Sequence, residues 1–314
     1  MKKYNDSFRI NKKLIKNMLY INKNMTMFFS VLYLLTIVPL IGFLFINNYD
    51  FDSGFFIAPT SINYEKFTGG NFGSTKMSIY SITHYVAYEG PGQIIFLIAN
   101  IVFVNKIIIK ELNDGQMTMW LTFKTSRKNI ILSKILSIVI NNLIIFAPSF
   151  IILLVFSTLS MDASQNLGLM FYQSIQFIVI NLLLLSIILF FSILFNEKNT
   201  LLNIVFALIG LYILIGWVLN IVDEFMGGEI KLLSYVKYFQ IQYLVFMVMN
   251  FDYNQTELLK DFEWNNNGVV SILQSKNHNI NWYLSTIFPM ILLLLIFGLI
   301  YLSINKFNNK DIKI

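Results

Sequence analysis

The chain has 314 residues, of which 56% are hydrophobic and only 13% charged, and its formal net charge is +6. The apolar residues come in long charge-free blocks, which excludes the soluble two-domain protein that length alone points to. The absence of cysteine excludes disulfides, thiolate nucleophiles and cysteine-ligated metals.

Residues 1–24 carry Lys2, Lys3, Arg9, Lys12, Lys13, Lys16 and Lys23 against one acid, Asp6. Ile10, Leu14, Met18 and Ile21 recur at helical spacing, with Phe8 nearby. The pattern predicts a basic amphipathic helix lying on a membrane surface; the alternative is a basic tail without structure. A cleaved signal peptide fits poorly. The basic region is very long, the apolar run after it exceeds a usual signal core, and a small-residue cleavage site is not evident.

A helix that crosses a bilayer needs about 20 apolar residues. A charge at the bilayer centre costs about 2.5–3.5 kcal/mol, so charge-free runs mark spans. They predict six: 27–46, 92–109, 135–159, 170–195, 201–222 and 283–304. The second uses its flanks, where Lys106 and Lys110 can reach to the surface. Pro39, Pro148 and Pro289 inside spans are either hinges or kinks that neighbouring helices stabilise. Residues 47–90 form a long polar segment rich in glycine and aromatics, and residues 223–282 form a second. Inside the second, 238–251 is apolar but short, which predicts a re-entrant or interfacial helix. His84 and His278 fall in these two segments and read as ordinary polar residues, since metal sites rarely rest on two distant histidines.

The basic residues set the orientation. With the N-terminus inside, the inner segments 1–24, 106–134, 196–200 and 306–314 hold seventeen of the 23 Lys and Arg and five of the 17 acids. The reading is a multi-pass protein of the cell membrane with both termini cytoplasmic.

Chemical motifs are missing. There is no P-loop, HExxH, GxSxG or pair of acids within a span. No ionisable group can be assigned to a span, as gradient-driven transporters require, and no charged ring marks a channel. The chain is not expected to be an enzyme, and its energy is expected to come from another subunit.

The passage Glu111–Leu136, ELNDGQMTMWLTFKTSRKNIILSKIL, is the most specific in the chain. Met117, Trp120 and Leu121 fall at i, i+3 and i+4, one face of a helix. Thr125-Ser126 is a helix-start signal, followed by Arg127 and Lys128, and Lys134 leads into the next span. Glu111-Leu-Asn-Asp-Gly115, then Leu121, Ser126-Arg127 and Ile130–Leu136 resembles the signature between spans 2 and 3 of ABC-2 type transporter permeases. Lys306-Phe307-Asn-Asn-Lys310-Asp311-Ile312 is similar to that family's closing motif. Two positions depart from the family: Lys124 stands where proline is usual, and Gln116 where threonine is common.

The resemblance implies an all-α polytopic membrane protein. It would have six transmembrane helices, an N-terminal amphipathic interfacial helix (1–24), a cytoplasmic coupling helix between spans 2 and 3 (110–134), re-entrant or outer helices between spans 5 and 6, and a cytoplasmic tail (305–314). It implies a separate ATP-binding subunit, a second permease chain and surrounding lipid as partners, with no nucleic acid. ATP would be bound by the partner, and this chain would hold no cofactor or metal. The implied coupling residues are Glu111, Gly115, Met117, Trp120, Leu121, Ser126, Arg127 and Lys134. Met117, Trp120 and Leu121 suit an apolar cleft, Arg127 and Lys128 suit acids at its rim, and Glu111 is placed to meet Arg127 or the partner. The expected function is the permease subunit of an ATP-driven exporter. The alternative is a non-transport scaffold or sensor that anchors a cytoplasmic complex. A lipid-modifying enzyme would need polar residues clustered at one membrane face; Asn141 and Asn142 read more simply as packing contacts between helices.

Overall fold

Long charge-free blocks become long helices in the computed structural model, which describes residues 11–50, 55–56, 84–114, 126–158, 163–225, 239–241 and 282–308. The helices are α1 (Lys12–Asn48), α2 (Pro91–Val104), α3 (Lys110–Asn113), α4 (Arg127–Thr158), α5 (Ala163–Leu194), α6 (Asn199–Phe225) and α7 (Trp282–Asn308). A π-helical segment, His84–Glu89, precedes α2, and a second, Asn105–Ile109, joins α2 to α3 without a break. The strand structure among the described residues is one short antiparallel pair, β1 (Tyr49–Asp50) with β2 (Phe55–Phe56).

Among the described residues six helices are long and apolar enough to cross a bilayer: Lys12–Pro39, Ala87–Asn113, Arg127–Phe156, Gln173–Leu194, Asn199–Asn220 and Met290–Asn308. The protein is therefore an all-helical membrane protein by length and composition.

The surface helix expected over 1–24 and the span expected over 27–46 do not separate. From Lys12 onward they are one helix of 37 residues, about 55 Å at ~1.5 Å per residue, against a hydrocarbon core of about 30 Å. The physical reason is local, because Asn24-Met25-Thr26 between the two segments contains neither glycine nor proline. Residues 1–10 lie outside the described residues. Of the stripe expected to face lipid, Leu14 and Met18 are buried in the bundle with Ile15 beside them, whereas Ile21 is exposed.

The second span is the centre of the bundle. Burial covers 67% of its most apolar stretch, against 17% for α6. α1 and α4 pack side by side and run in the same direction, with Asn11 beside Ser133 near their starts and Tyr33 beside Phe146 further along. The second span runs opposite to both, since its last residues meet the start of α4. Asn11, Glu111 and Lys134 thus share one end of the bundle, here called the basic end.

Toward the far end an aromatic cluster ties four helices together. Tyr33 of α1 lies edge-on to Phe96 of α2 at 5.1 Å, and Phe96 edge-on to Phe177 of α5 at 5.1 Å. Phe146 of α4 packs on Phe177 at 5.6 Å. Such pairs contribute about 0.5–1.5 kcal/mol each beyond area burial. Their polar tips are satisfied: the Tyr33 hydroxyl donates to the Ala87 carbonyl at 3.0 Å, and the Tyr88 and Ser174 hydroxyls meet at 2.8 Å. Nearer the middle, the Thr26 hydroxyl donates to Asn141 at 2.8 Å, and the Asn142 amide donates to Asn100 at 2.6 Å. Asn141 and Asn142 are the packing contacts between helices that their positions implied.

Candidate functional site

The basic end is built by two helix starts. Asn11 caps α1: its side-chain oxygen accepts from the Leu14 amide at 3.2 Å, and its carbonyl from the Ile15 amide at 3.1 Å. Ser126 caps α4 in the same way, its carbonyl accepting from Asn129 at 3.0 Å and Ile130 at 3.2 Å, and its hydroxyl from Asn129 at 3.3 Å. Each cap satisfies amides that a helix N-terminus leaves without partners.

Two adjacent residues of α4 then bind its neighbours. The Ser133 hydroxyl accepts from the Asn11 backbone amide at 2.9 Å and donates to the Asn129 carbonyl at 2.8 Å, so it fixes the start of α1. Lys134, on the next position, points the other way. Its ammonium donates to the Ile107 carbonyl at 2.9 Å and forms an ion pair with Glu111. Ile107 lies in the π-helical segment Asn105–Ile109. The wider winding of such a segment leaves carbonyls off the regular ladder, and π-segments recur where helices carry function.

Lys134 is fully buried and Glu111 is 12% exposed. The pair is thus shielded on the cation's side and faces water on the anion's. Leaving either charge alone here is costly, because burial removes hydration that a single hydrogen bond does not replace. The end of the second span and the start of α4 are therefore held together by a buried charge pair.

Of the residues expected to couple to a partner, the structure places Glu111, Ser126, Arg127 and Lys134 in this stem. Gly115, Met117, Trp120 and Leu121 lie outside the described residues. Lys134 is not at the surface; its ammonium meets Glu111. Arg127 and Lys128 occupy the first turn of α4 and are half-buried. Cations at a helix N-terminus oppose the helix dipole. Sequence reasoning missed Asn11, the Ile107 carbonyl and Ser133. Asn11 had a legible signal, an asparagine three residues before the first buried leucine.

Two ionisable groups at the edges of the expected spans are buried: Lys134, one residue before the expected start at 135, and Glu89, in the polar segment expected to end at 90. Glu89 is 1% exposed and accepts a hydrogen bond from the Asn220 amide of α6. Gly90-Pro91 reads as a helix start, but the π-helical segment His84–Glu89 precedes it, and the candidate span begins at Ala87, five residues before the expected 92. On α6, the Tyr212 hydroxyl donates to the Phe239 carbonyl and accepts from the Ile241 amide, both at 2.7 Å. Residues 239–241 thus lie against that helix, and the rest of the expected re-entrant segment lies outside the described residues. Among the described residues no cluster of His, Cys, Asp or Glu has the makings of a metal site.

Comparison with protein-family models, curated proteins and solved structures found no match.

Proposed function

We propose that this chain is the membrane subunit of an ATP-driven ABC exporter. In this reading the basic end faces the cytoplasm, in keeping with the excess of Lys and Arg there. Two such chains form the path, and a separate ATP-binding subunit docks on the connection between the second and third spans. ATP is hydrolysed in that partner.

The observation that carries the reading is the stem of that connection. Glu111, Ser126, Arg127 and Lys134 stand at the spacing of the permease signature. Glu111 and Lys134 lock the end of one span to the start of the next. A load applied to residues 115–125 then has a short path into the bundle. It passes through Glu111 and Lys134 to the second span and α4, and through Ser133 to α1. A connection that only turned the chain around would need neither a buried charge pair nor two cations placed against the helix dipole.

The test is a detergent pull-down of the tagged chain from its native membrane, beside an Arg127→Glu version. The expected result is an ATP-binding protein recovered with the first and lost with the second, while both elute as folded protein. Failure to recover any ATPase with the folded, unaltered chain overturns the reading.

A further inference from the structure

Three helices carry their last charge at nearly one depth. From Lys23 on α1, Lys106 on the second span and Lys134 on α4, a charge-free run leads toward the far end. The Thr26–Asn141 hydrogen bond and the Phe29–Phe103 ring contact at 6.0 Å fix the register of these helices. Counted from those contacts at ~1.5 Å per residue, the three lysines fall within about 10 Å of one another along the bundle. Charge is costly in hydrocarbon, so the apolar layer begins at about the level of Lys23. The start of α1 at Lys12 stands about 16 Å farther out.

One exposed row of α1 crosses this boundary. Lys16, Tyr20, Lys23, Met27, Val31 and Leu35 follow at steps of three or four residues and are all exposed, so they line one side of the helix. The Lys23 ammonium lies over the Tyr20 ring, 4.7 Å from its centroid. That direction leads out of the apolar layer, and the ring face attracts the cation. α1 contains no acid, and neither Lys16 nor Lys23 has an acidic partner among the described residues. The other half of the row, from Lys23 to Leu35, descends about 18 Å. One leaflet's half of a hydrocarbon core is about 15 Å deep, so this half of the row matches an acyl chain in length.

We propose that this row binds an anionic glycerophospholipid in the leaflet at the basic end. Its phosphate meets the ammonium groups of Lys16 and Lys23, the Tyr20 hydroxyl is a neutral donor beside them, and an acyl chain lies along Met27, Val31 and Leu35. The continuity of the row selects this occupant. An acidic protein outside the membrane meets the lysines but not the apolar half, which lies in the hydrocarbon. A second copy of the chain, packed on this row about a two-fold axis, brings the same patch against itself; its lysines then face lysines, with no acid on α1 to offset them. A zwitterionic lipid fits the apolar half but brings a cation of its own. The site does not depend on an ATPase partner.

The test is native mass spectrometry of the full chain in detergent, titrated with phosphatidylglycerol or with phosphatidylcholine of the same acyl chains. Phosphatidylglycerol is expected to bind about tenfold more tightly. Lys16→Gln together with Lys23→Gln is expected to weaken it by about fivefold per lysine, the contribution of a basic residue near an anionic leaflet, and to leave phosphatidylcholine binding unchanged. Lys198→Gln together with Lys306→Gln removes the same charge from other exposed positions at the basic end and is expected to leave both affinities unchanged. Glycerol 3-phosphate, the headgroup phosphate without its acyl chains, is expected not to displace the lipid. Equal binding of the two lipids overturns the proposal and leaves the lysines to an acidic protein. Displacement by glycerol 3-phosphate overturns it by marking a site for any anion. An equal loss in the Lys198 and Lys306 variant overturns it by marking an effect of overall charge.

Discussion

The Lys134 ammonium, fully buried in the second turn of α4, is neutralised by Glu111 from 23 positions earlier in the chain. The two partners are not equivalent. Glu111→Gln leaves a cation at 0% exposure with the Ile107 carbonyl, whereas Lys134→Met leaves an anion at 12% exposure that water can reach. Removing one member of a buried pair costs about 3–5 kcal/mol. Glu111→Gln is expected near the upper end of that range and Lys134→Met below it, with the double variant less destabilised than Glu111→Gln alone. Unfolding in detergent–SDS mixtures measures all three, and the reverse order of the single variants would refute this account of the pair.

Gly92 sits where two backbones nearly touch. A methyl group there would lie 1.9 Å from the Ala87 carbonyl oxygen and 2.8 Å from the Tyr33 ring. That carbonyl is also the acceptor for the Tyr33 hydroxyl, so it cannot move without breaking a buried bond. Gly92→Ala is expected to cost about 3 kcal/mol, at the high end for overpacking. Gly298→Ala, with nothing within 4 Å of its added methyl, is expected to be neutral or to stabilise α7 by up to about 1 kcal/mol, the propensity gap between the two residues. Melting temperatures of the two variants in detergent separate these outcomes.

The spans were legible because charge is excluded from them, and that rule needs no knowledge of the fold. At the edges of those runs it left out two charged residues that are buried through partners far away in sequence, Lys134 through Glu111 and Glu89 through Asn220. Lys134 follows a basic cluster and looks like one more positive-inside anchor; its burial depends on Glu111, which no local pattern identifies as its partner. Glu89 precedes Gly90-Pro91, which reads as the start of a helix, and the π-helical segment before it has no periodic signature. The start of α1 went wrong for the opposite reason. A basic stripe followed by an apolar run looks like two elements, but Leu14, Ile15 and Met18 find α4 rather than lipid, and no residue interrupts the helix between them and the span.

Arg127 and Lys128 separate stability from function. Each places positive charge at the N-terminus of α4, an arrangement that costs about 0.3–1 kcal/mol when exposed. Replacing Lys128 by alanine is expected to leave the isolated chain as stable or slightly more stable. In the proposed assembly the same change is expected to weaken recovery of the ATP-binding subunit, whose rim this cation would meet. Ser126→Ala is expected to do the opposite, lowering stability by about 1 kcal/mol through loss of the cap. Thermal unfolding and co-purification, run on the same preparations, measure both properties. A Lys128→Ala chain that loses stability would show that this cation serves the helix bundle.

The Asn142–Asn100 bond lies between α4 and the second span, with Asn142 donating at 2.6 Å. One half of each amide is used, and the remaining Asn142 oxygen and Asn100 nitrogen are buried without partners. A bond that leaves two groups unsatisfied stabilises less than its short length implies. Interhelical hydrogen bonds in membrane proteins average about 0.6 kcal/mol in double-mutant cycles, and this one is expected near or below that figure. Asn142→Leu alone strands the Asn100 amide completely and is expected to cost about 1–3 kcal/mol. Adding Asn100→Leu removes the stranded group, so the double variant is expected to recover part of the loss. The same cycle on Thr26 and Asn141, joined at 2.8 Å, provides the comparison. There the Thr26 hydroxyl also contacts the Asn22 carbonyl of its own helix at 3.1 Å, so it keeps an acceptor when Asn141 is removed. Loss of Asn141 is therefore expected to cost less than loss of Asn142. Equal costs at the two sites would mean that stranded amides do not set the energy of these contacts.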